Sequence, residues 1–220
     1  HFARDLLARA LRAKVVLVGD NFHFGVNRSG DRALLATLGE ELGFEVRVHA
    51  IAGDAEGPFS STRARKAVAE GDLPAVIRVL GRPHSISGLV GHGAKLGRTL
   101  GFPTANLADV PETLPPDGIY AVTVDEVLST GGARALAKGA LSIGVRPTIE
   151  GAMGRTTEVF LLDFARDLYG AHLRLHLVAR LRDEKKFGSL DELKAQIARD
   201  VDETRVQTQG ALPSPAGAYG

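Results

Sequence analysis

From His84 onward the chain runs in short β-type stretches separated by Gly and Pro: Ile86 to Val90, Gly118 to Val127, Ala137 to Ile143, Thr156 to Phe164, and His172 to Leu181. No helical pattern intervenes, and this restricts the fold more than any other feature. Strands without crossover helices pair antiparallel, and a small set of them avoids exposed edges by closing on itself. A small closed barrel is therefore expected over residues 84–206. The helix comes last, at Leu190 to Val201, where Leu190, Leu193, Ile197 and Val201 mark one apolar face that should pack on the barrel. Residues 207–220 are rich in Gly, Pro, Ala and Ser and read as a disordered tail.

The first 83 residues have a different texture. A helical stretch, Phe2 to Arg12, precedes the apolar run Lys14 to Val18, which reads as a buried parallel strand. Asp31 to Leu42 shows helical spacing and stops at Gly43, and Phe44 to Ile51 alternates like a strand, so the order is βαβ. Ser60, Ser61 and Thr62 offer capping hydroxyls before a helix from Arg63 to Glu70. Gly71 closes it and Asp72 starts another that runs to Leu80. Residues 1–83 thus form a partial, Rossmann-like α/β segment, and the whole is of the α+β class.

Composition removes several functions. Lys and Arg number 27 against 26 Asp and Glu, a net charge of +1 with no basic stripe, which disfavours nucleic acid as a partner. There are no cysteines, so disulfides and thiolate metal sites are excluded and a cytoplasmic location is expected. The longest apolar runs, such as Val15 to Val18, are too short to cross a bilayer, and the first residues lack the apolar core of a signal peptide. Starting at His1 rather than Met, the chain reads as a fragment or a processed product. His172 and His176 are spaced like a zinc pair on a helix, but the alternation of Leu173, Leu175 and Leu177 makes the segment a strand. Strand rise then separates the two rings by roughly 13 Å, and no metal is expected there.

Candidate chemistry concentrates between Gly88 and Asn106. The segment is not a P-loop, because no Gly is followed by Lys and Ser or Thr at the required spacing, nor a dinucleotide fingerprint, because Leu96 stands where the third Gly belongs. Gly91, Gly93 and Gly97 let backbone N–H groups approach phosphate oxygens. Pro103 fixes the chain before Thr104 and Asn106, which share a face if the segment is extended. Their two neutral oxygens suit a magnesium ion that keeps several waters and bridges nucleotide phosphates.

Gly97-Arg-Thr-Leu-Gly-Phe-Pro-Thr-Ala-Asn106 resembles the signature of riboflavin kinases. Pro116 to Val122, Ser142 to Thr148, Glu158 to Phe164, Leu168 to Gly170 and Arg182 to Phe187 are similar to later blocks of that family in the same order, covering His84 to about Arg205. The resemblance implies a six-stranded antiparallel Greek-key barrel with a C-terminal helix, and ATP and riboflavin bound on opposite sides of one cleft. It further implies that riboflavin is phosphorylated at its 5′-hydroxyl to FMN with Mg2+ as cofactor. Thr104 and Asn106 correspond to the magnesium ligands and Glu158 to the catalytic base. Gly91, Gly93, Lys95, Gly97 and Arg98 correspond to the ATP loop. Arg182, Glu184 and Phe187 are candidate flavin contacts, although Phe187 could equally be a core residue. Asp163, after three apolar residues, is expected to cap the turn before Arg166.

Val18 to Gly25 and Ser60 to Arg65 look like the second half of the FMN adenylyltransferase module of bacterial FAD synthetases. The resemblance implies that Asn21 faces the flavin and that Ser61, Thr62 and Arg65 hold ATP phosphates. The His-x-Gly-His motif of that module occurs nowhere in this chain, and His92-Gly93 is followed by Ala94. The chain is thus expected to make FMN but not FAD. Two alternatives stay open: a fragment of a bifunctional FAD synthetase that also adenylylates FMN, and a non-catalytic flavin-binding module.

Overall fold

In the computed structural model, which describes residues 1–93, 97, 100–147 and 153–211, the chain divides into two units, His1–Phe59 and Ser60 onward. Lys95 and Arg98 and the tail beyond residue 211 lie outside the described residues.

In the first unit, helix Phe2–Ala10, whose end is wound in a wide i→i+5 turn, precedes strand β1 (Val15–Gly19). A short ribbon of β2 (His23–Phe24) and β3 (Gly30–Asp31) leads into helix α1 (Arg32–Leu42). The Asp31 carboxylate accepts from the Leu34 N–H at 2.8 Å and so caps α1. Strand β4 (Glu45–His49) lies parallel to β1, with Val15 opposite Glu45. A second ribbon, β5 (Gly53–Asp54) with β6 (Gly57–Pro58), ends the unit. This is the expected βαβ order, with one correction. Val18 is buried with Ala3, Leu7, Leu35 and Phe44, but Leu17 is 64% exposed. The helices pack on one face of β1 only, so the run is not buried on both sides.

The second unit opens with helices α2 (Ser61–Glu70) and α3 (Leu73–Leu80). Ser60 rather than Ser61 or Thr62 caps α2, its hydroxyl accepting from the Arg63 N–H, and the Asp72 carboxylate caps α3. Both helices end on a left-handed glycine, Gly71 and Gly81. Leu73 is buried in the same cluster as the barrel residues, which explains why these helices group with the barrel.

The barrel strands are β7 (Ser85–Gly91), β8 (Thr104–Ala108), β9 (Gly118–Val127), β10 (Ala133–Pro147), β11 (Met153–Leu161) and β12 (His172–Arg182). They close in the order β10-β11-β8-β7-β12-β9. Every pair is antiparallel. Three successive hairpin strands, β9 to β11, with β12 returning beside β9, make a Greek key. Alternate residues fill the interior, among them Ile86, Tyr120, Val122, Val124, Leu141, Ile143, Val159, Leu173, Leu175 and Leu177, all fully buried. Each such side chain stabilises the fold by about 1.5–3 kcal/mol relative to exposure. Helix α4 (Leu190–Gln207) packs on β9, β10 and β12 and runs beyond the expected end at Val201.

Candidate active site

Antiparallel register carries the site around the barrel. Gly91 of β7 lies opposite Asn106 of β8, and Asn106 opposite Glu158 of β11. Glu158 in turn lies opposite Ser142 of β10, Ser142 opposite Ile119 of β9, and Ile119 opposite Arg182 of β12. Residues directly opposite one another project from the same face. Their neighbours Ala105, Leu107, Val159, Leu141, Ile143 and Tyr120 point into the core, so this row lies on the outside. Strand irregularities between Leu177 and Ala179 and between Arg180 and Arg182 bring Arg182 into that row.

Above the row is a cavity of about 310 Å³. Among its lining residues are Gly97, Thr104, Glu158, Arg182, Glu184 and Phe187, separated in sequence and gathered here. The Thr104 hydroxyl donates to Glu158 Oε2 at 3.4 Å. A second cavity, about 380 Å³, is lined by Val90, Pro103, Ala105 and the segment Phe164 to Tyr169, and Thr104 belongs to both. At its edge the rings of His92 and Tyr169 lie 4.3 Å apart.

The glycines of the loop are required by proximity. A side chain at Gly93 would collide with the Asn106 carboxamide, and one at Gly97 with the carbonyl of Phe102. Likewise the Glu184 carboxylate packs directly against Gly144, where no Cβ fits.

Arg182 donates from Nε and Nη2 to both oxygens of Asp200 at 2.9 and 2.7 Å, and from Nη1 to the Asp183 carbonyl. Its guanidinium and the Lys185 ammonium flank the Phe187 ring at 5.9 and 5.8 Å. Phe187 therefore belongs to a cavity wall rather than to the barrel core. Asp200, buried and also bonded by Gln196, was not anticipated. Its signal is a charged residue at i+3 from Ile197 on the apolar face of α4. Phe102 and Phe160, edge-on at 5.4 Å, and the ends of the Phe164 to Tyr169 segment lie in the sequence blocks named above, which assign them no role.

Other expectations resolve differently. Asp163 does not cap the turn before Arg166. Its carboxylate accepts two hydrogen bonds from Arg205, at 2.6 and 2.8 Å, which hold its pKa below the ordinary value. His176 is buried and bonded to Asp125 at 2.9 Å, while His172 is exposed on the same strand. Ser61, Thr62 and Arg65 stand exposed in the first turns of α2. Asn21 belongs to the first unit and is exposed beyond β1.

Two cavities that meet at Thr104, whose hydroxyl donates to a glutamate in the wall of one of them, define a barrel protein suited to bringing two small ligands together. Residues 80–208 match the family profile described as riboflavin kinase, and residues 1–63 match that of FAD synthetase. The chain belongs to the riboflavin kinase family. It is 46% identical over 200 residues to a bifunctional riboflavin kinase/FMN adenylyltransferase of Escherichia coli K12, covering 91% of this chain and 62% of that protein. The protein of the same description from Haemophilus influenzae is 40% identical over 202 residues, covering 91% and 63%. A crystal structure of a Streptococcus pneumoniae protein described as a macrolide-efflux protein superposes with a TM-score of 0.74 at 32% identity, covering 90% of this chain and 62% of that one. The chain thus spans about 62% of the length of the E. coli relative. Among the described residues no helix is long and apolar enough to cross a membrane.

Proposed function

We propose that the chain transfers the γ-phosphoryl group of ATP to the 5′-hydroxyl of riboflavin, giving FMN and ADP. One observation carries the reading: Thr104 lines both cavities and its hydroxyl meets Glu158, a carboxylate in the wall of the first. The cavity walled by Phe102, Ile119, Phe160 and Phe187, with Arg182 and Glu184 at its edge, suits an isoalloxazine ring. Arg182 serves there through its grip on Asp200, which holds α4 over the ring. The cavity reaching from Thr104 to Tyr169 takes the nucleotide, and Gly91, Gly93 and Gly97 are assigned to its phosphates by family resemblance, Gly97 lying in the wall of the other cavity. Lys95 and Arg98 are assigned to the phosphates by family resemblance alone.

The donor set fits Mg2+. Thr104 and Asn106 offer hard neutral oxygens beside the Glu158 carboxylate, too few to enclose the ion and enough for one that keeps water and phosphate ligands. When bound, the ion neutralises charge on the phosphates. Glu158 orients the 5′-hydroxyl and accepts its proton as the oxygen–phosphorus bond forms and the bond to ADP breaks. Thr104, beside Glu158 Oε2, fixes the direction of that carboxylate.

In the first unit and at the start of α2, Asn21, Ser61, Thr62 and Arg65 are assigned to the FMN and ATP of an adenylylation this chain is not equipped to complete. The test is incubation with riboflavin, ATP and Mg2+ followed by chromatography of the flavins. FMN is expected. Binding of riboflavin without FMN above a no-enzyme control would instead make the protein a flavin-binding module.

A further inference from the structure

Helix α4 walls one cavity and is tied by a side chain to the edge of the other. Leu193, Ile197 and Asp200 line the first. In its last turn Arg205 donates two hydrogen bonds to Asp163, the residue that leads into the Phe164 to Tyr169 wall of the second. The far end of that wall is fixed by backbone: the Gly170 N–H donates to the Val90 carbonyl and the Val90 N–H to the Ala171 carbonyl, both at 2.9 Å. The near end has one backbone anchor, the Leu162 N–H donating to the Lys138 carbonyl at 2.8 Å, and beyond it two side-chain pairs. Arg166 pairs with Glu126 at 2.6 Å, and Asp163 pairs with Arg205. Asp163 also has φ +52°, a left-handed backbone that turns the chain into the wall at some cost for a residue with a side chain.

We propose that Arg205 is a positioning residue for the nucleotide cavity. Through Asp163 it ties that cavity's wall to the helix that also walls the flavin cavity, so that each ligand binds more tightly when the other is present. The inference rests on the assignment of the two cavities made above. Arg205 and Asp163 line neither cavity, and their pair is largely exposed. An exposed pair carries little, so the expected enhancement is modest, about 2–5-fold. Coupling of this kind is reciprocal.

The test measures Mg-ADP binding with and without saturating riboflavin, and riboflavin binding alone, in wild type, Arg205→Ala, Asp163→Gly and the double variant, each beside a melting curve. Glycine adopts the left-handed backbone freely, so Asp163→Gly removes the pair without straining the turn and should not lower the melting temperature. Wild type should bind Mg-ADP about 2–5-fold more tightly with riboflavin present. Both single variants should lose that enhancement while binding riboflavin alone as wild type does, and the double variant should lose no more than either. A general loss of structure would weaken both ligands and the melting temperature together. If both ligands bind wild type but the enhancement is absent there, or is kept in the variants, the proposal falls and the cavity assignment stands. If riboflavin and Mg-ADP do not bind at all, the assignment fails and takes the proposal with it.

Discussion

Glu158 is opposed by Asn106 on one side and Ser142 on the other, and its Oε2 accepts from the Thr104 hydroxyl. Replacing it by Gln keeps shape and hydrogen bonding but removes the proton acceptor. Glu158→Gln should therefore retain both ligands and the melting temperature while kcat falls by about 10²–10⁴-fold. Single-turnover FMN formation beside a melting curve checks this, and an unchanged rate would put the base elsewhere. Thr104, Asn106 and Glu158 were legible because they sit in ordered sequence blocks. Asp200 was not, because its partner Arg182 lies on another element and only the fold joins them. His84 offers a pH test. Burial holds its pKa below the ordinary imidazole value, and its Nε2 donates to the Thr113 carbonyl at 2.8 Å. A depressed value means the unfolded chain takes up the proton first, so the stability His84 contributes is complete above the unfolded pKa, near 6.5, and is lost as pH falls toward the folded value. His84→Gln should flatten the dependence of melting temperature on pH through that window. An unaltered slope would assign it to other histidines.

At the scale of elements, β8 and α4 decide the site. Strand β8 was half hidden in the sequence: Ala105 and Leu107 supply its only core contacts, and a Gly-rich stretch precedes it. Its extended form sets Thr104 and Asn106 on one face. Thr104→Val and Asn106→Ala should accordingly weaken use of Mg-ATP far more than binding of riboflavin, and ATP titrations at fixed riboflavin that match wild type would exclude both from the ion. Helix α4 outran its apolar pattern because its last turns are buried through Thr204 and Thr208, whose hydroxyls donate back to the carbonyls of Asp200 and Thr204. No hydrophobic period records that kind of burial. The helix is fastened to β12 by Arg182 and Asp200. Asp200→Ala leaves Arg182 without its carboxylate, and the expected loss is about 3 kcal/mol, the low end for breaking a buried pair because the guanidinium is partly exposed. Denaturant melts would read that loss, and riboflavin binding should weaken with it.

On the scale of the whole chain, the change of sequence texture falls at Pro83, whereas the compact units divide between Phe59 and Ser60. Helices α2 and α3 look like part of an α/β pattern, yet Leu73 enters the barrel core, a contact that no local periodicity reveals. Of the residues that the resemblance assigns to adenylylation, Asn21 belongs to the first unit and Ser61, Thr62 and Arg65 to the second. Hydroxyls and a guanidinium at a helix start can hold phosphate. Transfer of an adenylyl group needs more, because negative charge grows on the attacked α-phosphate and something must neutralise it. In the module that this part of the chain resembles, the His-x-Gly-His motif steadies that phosphate, and the chain contains no such motif. Incubated with FMN, ATP and Mg2+, the chain should therefore form no FAD above a no-enzyme blank, while the same preparation turns riboflavin into FMN. The second reaction shows that the protein is folded and competent to use ATP, so a lack of FAD reads as a missing chemical group rather than a dead sample. Appearance of FAD in a preparation free of any longer enzyme would mean that other residues of this chain carry the phosphate charge. Arg65→Ala would then be the first variant to make, since it removes the one cation among the residues that the resemblance assigns to adenylylation.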